Sequence, residues 1–246
     1  MKSHSAALLL GSAALVLGAC ATSGVKNPDD PYEGFNRKMY GFNDSLDRAV
    51  LEPVAKGYRA VTTKPIRKGV TNFTNNLGEP LTFTNELLQF NIPDAAGTFG
   101  RFVVNSTVGV AGLFDPATSF GIKRQDEDFG QTLGVWGVKP GPYLVLPFLG
   151  STSPRDLIGQ GADIGLNPIN YAQFDGDDAL RISNWVLGGL SARESAIETI
   201  DDVRQTQLDP YTTLRRFYVR SRAAAIRNSE PATNPVEEVP DYELNF

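Results

Sequence analysis

Large apolar side chains recur at helical spacing along most of this chain and abandon that spacing in one stretch rich in glycine and proline. Phe35, Met39, Phe42, Leu46 and Val50 fall at i, i+4, i+7, i+11 and i+15, one stripe of a helix with 3.6 residues per turn. The run predicts a first helix that stops before Pro53. Ile66, Val70, Phe73 and Leu77 repeat the pattern after Pro65, and Phe99, Phe102 and Val103 give an apolar face downstream of Pro93, so two further short helices are expected. Ser153-Pro154-Arg155-Asp156 supplies a cap, a proline at the first helical position and an acid two residues later, which starts a helix near Pro154. Leu180 to Leu190 and Ile197 to Val203 read as one or two more. Asp209-Pro210 opens the last helix, with Leu214, Phe217 and Tyr218 facing inward and Arg215, Arg216, Arg220, Arg222 and Arg227 over its later turns. A mainly α domain follows from these spacings.

The exception runs from Val108 to Gly150. Its apolar runs, Val108 to Phe114, Leu133 to Val138 and Tyr143 to Leu149, are too short for spanning helices and too greasy for an aqueous loop. They fit a pair of short buried strands or core-packed loops, or else a segment that meets lipid tails or a hydrophobic partner.

The first twenty residues are an address. A weakly basic start and an apolar run from Ala6 to Leu17 suit a signal peptide and are too short to cross a bilayer. The run ends in Leu17-Gly18-Ala19-Cys20, which resembles the bacterial lipobox, where cleavage precedes a cysteine that receives acyl chains. Cys20 is the only cysteine, so it is the candidate lipidation site and no internal disulfide exists. One acyl chain binds marginally and two or more hold firmly, so a triacylated Cys20 is a permanent anchor. Residue 21 is Ala, not the Asp that retains such proteins in the inner membrane, which implies the inner leaflet of an outer membrane. Residues 1–19 are thus expected to be removed, 20–30 to form a tether, 31–227 to fold as one domain, and 228–246, acidic and proline-rich, to form a disordered tail.

Composition removes whole classes of chemistry. The only histidine, His4, lies in the leader, so triads and histidine-based zinc sites are excluded from the mature chain. Removing the leader takes Lys2 with it and leaves 22 basic against 28 acidic residues, a balance of −6 that argues against a nucleic-acid partner. Ser23-x-x-Lys26 matches a serine and lysine pair but lies in the tether. Asp126-Glu127-Asp128 and Asp175-Gly176-Asp177-Asp178 could offer carboxylates for hydrolysis or a cation, though neither has calcium-loop spacing, and solvated loop acids fit as well. No phosphate-binding loop, nucleophile elbow or zinc-helix motif occurs, so no cofactor and no resident metal is expected. The arginine-rich last helix could meet lipid phosphates or simply present a solvated face with its stems packed down.

Eight ordered blocks then carry a family resemblance. They are Asp30 to Arg37, Pro53 to Arg59, Asn72 to Pro80 with its Asn76-Leu77-Gly78-Glu79, Arg101-Phe102-x-x-Asn105-Ser106-Thr107, Glu127 to Gly134, Gly141-Pro142-Tyr143-x-x-Leu146-Pro147, Arg155-Asp156, and Asp209-Pro210-Tyr211. Together they resemble the MlaA (VacJ) family over Asp30 to about Arg222. The resemblance implies a single ring-shaped helical domain in the inner leaflet of the outer membrane, with a hydrophobic hairpin loop and a central amphipathic channel. It further implies removal of stray outer-leaflet phospholipid, a trimeric porin neighbour, and hand-over to a periplasmic phospholipid carrier of the Mla pathway. The hairpin is expected within Val108 to Gly150. Tyr143 is the first candidate for the channel mouth, with Asp128 and Asn105 as further candidates and Leu144, Leu146 and Phe148 as tail-facing side chains. A scaffolding lipoprotein bound to porins is the alternative, and a carboxylate-and-metal lipid hydrolase a more distant one.

Overall fold

The computed structural model describes Asn27 and residues 29–228, so Cys20, the leader, nearly all of the tether and the acidic tail lie outside the described residues. The first helix, α1 (Glu33–Leu46), does not stop at Pro53. A π-helical turn (Asp47–Leu51) carries it into α2 (Glu52–Val61), and the Glu52 N–H donates to the Asp47 carbonyl, five residues back. The shift in register places the residue without an N–H where the widened turn tolerates it, so the proline does not end the helix.

Nor is the next helix short. The element α3 (Lys64–Leu88) is 25 residues long and runs straight through Pro80. Interior proline costs about 3 kcal/mol or more, and burial of the helix's Asn76, Glu79, Thr82, Asn85 and Glu86 face overrides it. After a turn at Phe90, which has positive φ, α4 (Ile92–Thr107) packs back on α3 as a helical hairpin.

The irregular middle holds two short helices, α5 (Pro116–Ser119) and α6 (Phe129–Val135), then an antiparallel hairpin. In it β1 (Leu144–Leu146) pairs with β2 (Gly150–Thr152), Leu144 opposite Thr152 and Leu146 opposite Gly150. The hairpin thus extends just past the expected limit at Gly150. Ser153 caps α7 (Pro154–Leu166), its hydroxyl accepting from the Asp156 N–H at 3.2 Å. A 3-10 turn (Pro168–Tyr171) leads to α8 (Asp177–Ser195) and α9 (Ile197–Thr206), which divide the expected segment into two helices. Asp209 caps α10 (Pro210–Ile226) by accepting from Thr212 N–H at 3.3 Å.

Neighbour relations close on themselves. Helix α8 packs on α3, α3 on α6, α6 on α10, α10 on α9 and α9 on α8, while α1 and α2 complete a second circuit through α8 and the hairpin. The domain is a helical ring. Its core is small, formed by Tyr143, Val145 and Tyr211 with Met39, Tyr40 and Tyr218 against them.

Ion pairs fasten the circuit. Arg204 bonds Asp44, Asp47 and Glu52, and Arg193 bonds Asp47, tying α9 and α8 to the first helix. Arg59 reaches Glu194 and Glu198, and Arg37 forks onto Asp209. Two arginines of α10 leave the solvated face: Arg222 turns inward to Asp128 and the buried Asp156, and Arg215 donates to the Asp29 carbonyl beside the buried Asp30, whereas Arg216, Arg220 and Arg227 are exposed as expected.

Candidate functional site: an inverted surface and a polar interior

Polarity in this domain is turned inside out. Among the described residues, the buried side chains include 17 polar or charged groups against 10 apolar ones, while 32 large apolar side chains are exposed. A soluble monomer rarely exposes more than a few hundred Å² of contiguous apolar surface. The α3/α4 hairpin shows the inversion best. Between its helices Arg101 donates to Glu79 at 3.2 Å, and to Asp115, Thr118 and the Ile122 carbonyl, while Thr98 donates to Glu86 at 2.9 Å. Its outer face carries Leu87, Phe90, Ile92, Phe99 and Val103, and continues into Val108, Val110, Leu113 and Phe114. No helix among the described residues is long and apolar enough to cross a membrane. The apolar skin therefore lies along helices of mixed polarity and the loops that follow them.

Burial raises the carboxyls trapped in this seam. It pushes Glu86 up to about 7 against the opposing Thr98 hydrogen bond, and Glu127 up to about 7 against that of Gln89. Asp128 goes the other way: burial pushes it up, but the Arg222 guanidinium wins and holds it below the usual carboxylate range.

Cavities with charged or polar side chains in their walls adjoin one another. A cleft of about 880 Å³ lies between α10 and the start of the hairpin, walled by Tyr143, Arg155, Asp156, Arg215 and Arg222. Arg222 is shared with a second cavity of about 640 Å³, walled by residues 123–128, Gln131 and α10. Arg124 in turn joins that cavity to a third of about 360 Å³ between α3 and α8, lined by Thr71, Thr74, Asn75, Asn184, Gly188, Ser191 and Ser195. On the hairpin's other side an apolar groove of about 730 Å³ runs between Leu46, Leu51, Val54, Phe148, Leu149, Trp185 and Val186.

Two asparagines of α1 fix the hairpin between these spaces. Asn36 donates to the Tyr143 carbonyl at 3.0 Å and accepts from Val145 N–H at 2.9 Å; Asn43 donates to the Leu146 carbonyl and accepts from Phe148 N–H, both at 2.9 Å. The spacing fits because seven helical residues advance ~10.5 Å and three strand residues ~10 Å. Each amide acts as an added rung on a strand edge.

Against that frame the candidate residues separate. Tyr143 is buried, bonds Ser151 Oγ at 2.7 Å and walls the cleft of about 880 Å³. Leu144 is buried and Leu146 half-buried, whereas Phe148 at the hairpin tip is 78% exposed and meets Phe42 edge-on with ring centres 5.5 Å apart. Asp128 caps α6, accepting from Gln131 N–H at 2.9 Å, and walls the second cavity. Asn105 stands apart from these cavities; it donates to Asp115 at 3.0 Å and accepts from Ala117 N–H at 3.1 Å. Asp177 of the other acidic group pairs with Arg181, and no cluster of metal-ligating side chains occurs among the described residues. The polar wall of α8 has its own sequence signal: Asn184, Gly188, Ser191 and Ser195 fall at i, i+4, i+7 and i+11, a stripe of polar and small residues at helical period.

Comparison with known proteins agrees with this geometry. The profile of a family described as MlaA lipoprotein matches residues 28–225. The intermembrane phospholipid transport system lipoprotein MlaA of Escherichia coli K12 is 36% identical over 244 residues, covering 96% of this chain and 94% of that one. The Haemophilus influenzae protein of the same description is 35% identical, covering 93% and 92%. An uncharacterised protein of Rickettsia typhi is 37% identical over 82% of this chain and 79% of its own. A solved structure from work on maintenance of bacterial outer membrane lipid asymmetry superposes with a TM-score of 0.70 at 34% identity, covering 80% of this chain and 98% of that one.

Proposed function

Because the chain belongs to the MlaA lipoprotein family, we propose that it is the lipoprotein of an intermembrane phospholipid transport system and serves outer-membrane lipid asymmetry. The inverted polarity supports this reading most directly. A two-tailed phospholipid led through water exposes on the order of 30 CH₂ groups at ~0.8 kcal/mol each, so its tails must stay against hydrocarbon or apolar side chains throughout. The exposed apolar band offers such contacts, and the polar cavities within the ring offer a route for the headgroup. No bond in the lipid need break, and the chain acts as a passive conduit.

In the finer reading the lipidated Cys20 fastens the ring to the inner leaflet of the outer membrane, facing the periplasm. A trimeric porin lies beside it, and a periplasmic carrier takes up lipid drawn from the outer leaflet. Tyr143 and Asp128, on walls that share Arg222, stand along the route, and Phe148 at the hairpin tip meets the tails. Deleting the gene and labelling surface-exposed phospholipid tests the reading: exposed lipid rises if it holds, and unchanged exposure overturns it. Cys20→Ala releases the chain from the membrane fraction and reproduces the deletion.

A further inference from the structure

We propose that the cavity between α3 and α8 is a binding station for the phosphodiester headgroup, built by Arg124, Ser191 and Asn184. The proposal rests on the transport reading and assigns part of its polar route to named atoms.

Two observations point to a missing polar occupant. Ser191 is 6% exposed, yet its Oγ has no hydrogen-bond partner, and the buried Asn184 Oδ1 also has none. Both side chains line the same cavity of about 360 Å³. Buried polar atoms are almost always satisfied, and each orphan costs about 1–3 kcal/mol. Two orphans seven residues, or two helical turns, apart on one wall of one cavity mark the place where a ligand's own polar atoms complete the set.

The chemistry of that ligand follows from the groups. Arg124 supplies the positive charge; its ion pair with Asp126 is at the rim, the carboxylate being 72% exposed, so an anion can share the guanidinium at little expense. A guanidinium and a hydroxyl donor suit a phosphate oxygen. Asn184 Oδ1 accepts, which suits the ammonium or hydroxyl that terminates a phospholipid headgroup. Thr71, Thr74, Asn75 and Ser195 keep the remaining wall polar and uncharged, so a zwitterionic or singly anionic headgroup meets no buried carboxylate there. Arg124 also lines the adjoining cavity of about 640 Å³, the only wall residue the two share, and so stands at the hand-over between them.

The full lipidated chain, extracted from outer membranes in mild detergent, is assayed for phospholipid retained per protein by phosphorus analysis and mass spectrometry. Arg124→Gln and Ser191→Ala each reduce retained phospholipid at least threefold and raise surface-exposed phospholipid in cells, while Arg124→Lys keeps most of both. Unaltered helical melting and membrane yield show that the variants fold; Asn184→Leu supplies a second variant if Ser191→Ala does not. Added glycerophosphoethanolamine displaces the retained lipid, whereas inorganic phosphate at equal concentration does not; displacement by phosphate alone overturns the headgroup assignment in favour of a free-phosphate site. Wild-type retention in Arg124→Gln and Ser191→Ala overturns the station, and leaves the transport reading standing wherever the gene deletion still exposes lipid.

Discussion

Replacing Asn36 by Ala removes an amide that completes the edge of β1. The side chain is fully buried and bonds both the Tyr143 carbonyl and the Val145 N–H, besides donating to Asp30 at 2.9 Å. In the Ala variant both strand groups lose their partners where water cannot follow. Each buried orphan costs about 1–3 kcal/mol, so the substitution destabilises by roughly 2–6 kcal/mol. Asn43 makes the same pair of bonds nearer the tip, to Leu146 and to Phe148, whose side chain is largely exposed. Water replaces Asn43 there, and its removal costs only about 0.5–1.5 kcal/mol. Urea titration of the full chain in detergent, followed by the near-ultraviolet signal of the Tyr40, Tyr143, Tyr211 and Tyr218 cluster, measures both losses. Amide exchange separates them further: Asn43→Ala accelerates exchange at Phe148 and spares Val145, whereas Asn36→Ala accelerates Val145. Equal losses, or a loss under about 0.5 kcal/mol for Asn36→Ala, refute the clamp.

Glu86→Gln flattens the pH profile of stability. Its carboxyl sits at about 7 in the folded chain, so the folded state holds the proton that the unfolded state releases above its ordinary value of 4.5. Stability from this group is fully present below that value and lost as pH rises through 7, about 3 kcal/mol in all. The Gln variant matches wild type near pH 4.5 and exceeds it at pH 8 in urea midpoint; a constant difference across that range contradicts the assignment. Gly159→Ala and Gly161→Ala part in sign. A Cβ on Gly159 would fall 2.3 Å from Gly130 N, forcing α6 and α7 apart, whereas one on Gly161 meets nothing within 4 Å. The first loses about 1–3 kcal/mol or more by overpacking and the second gains about 0.5–1 kcal/mol of helix propensity, read as opposite shifts in melting temperature.

Legibility of the fold tracks how local each cause is. Ser153 and Asp209 announce α7 and α10 correctly because a cap needs only the next three residues. Pro53 misleads because a π-turn register that the residue types do not announce carries the chain past it, and Ile66 to Leu77 understates α3 because the polar seam that sustains it is completed by Thr98 and Arg101 of α4, distant in sequence. Arg222 is illegible for the same reason, since its acids stand 66 and 94 residues away in the chain. The apolar stripes located helices well and said little about their orientation. Phe42, Val50, Ile66 and Phe99 belong to the periodic runs, yet all four are exposed. Periodicity is blind to the sign of the surroundings. In water the apolar stripe marks the inside, and beside hydrocarbon it marks the outside. The decisive signal is therefore the complementary stripe, Asn76, Glu79 and Glu86 on α3 or Asn184, Ser191 and Ser195 on α8, because charged and amide groups recurring at helical period on a helix with an apolar far side have no reason to turn inward unless the far side has a better solvent than water.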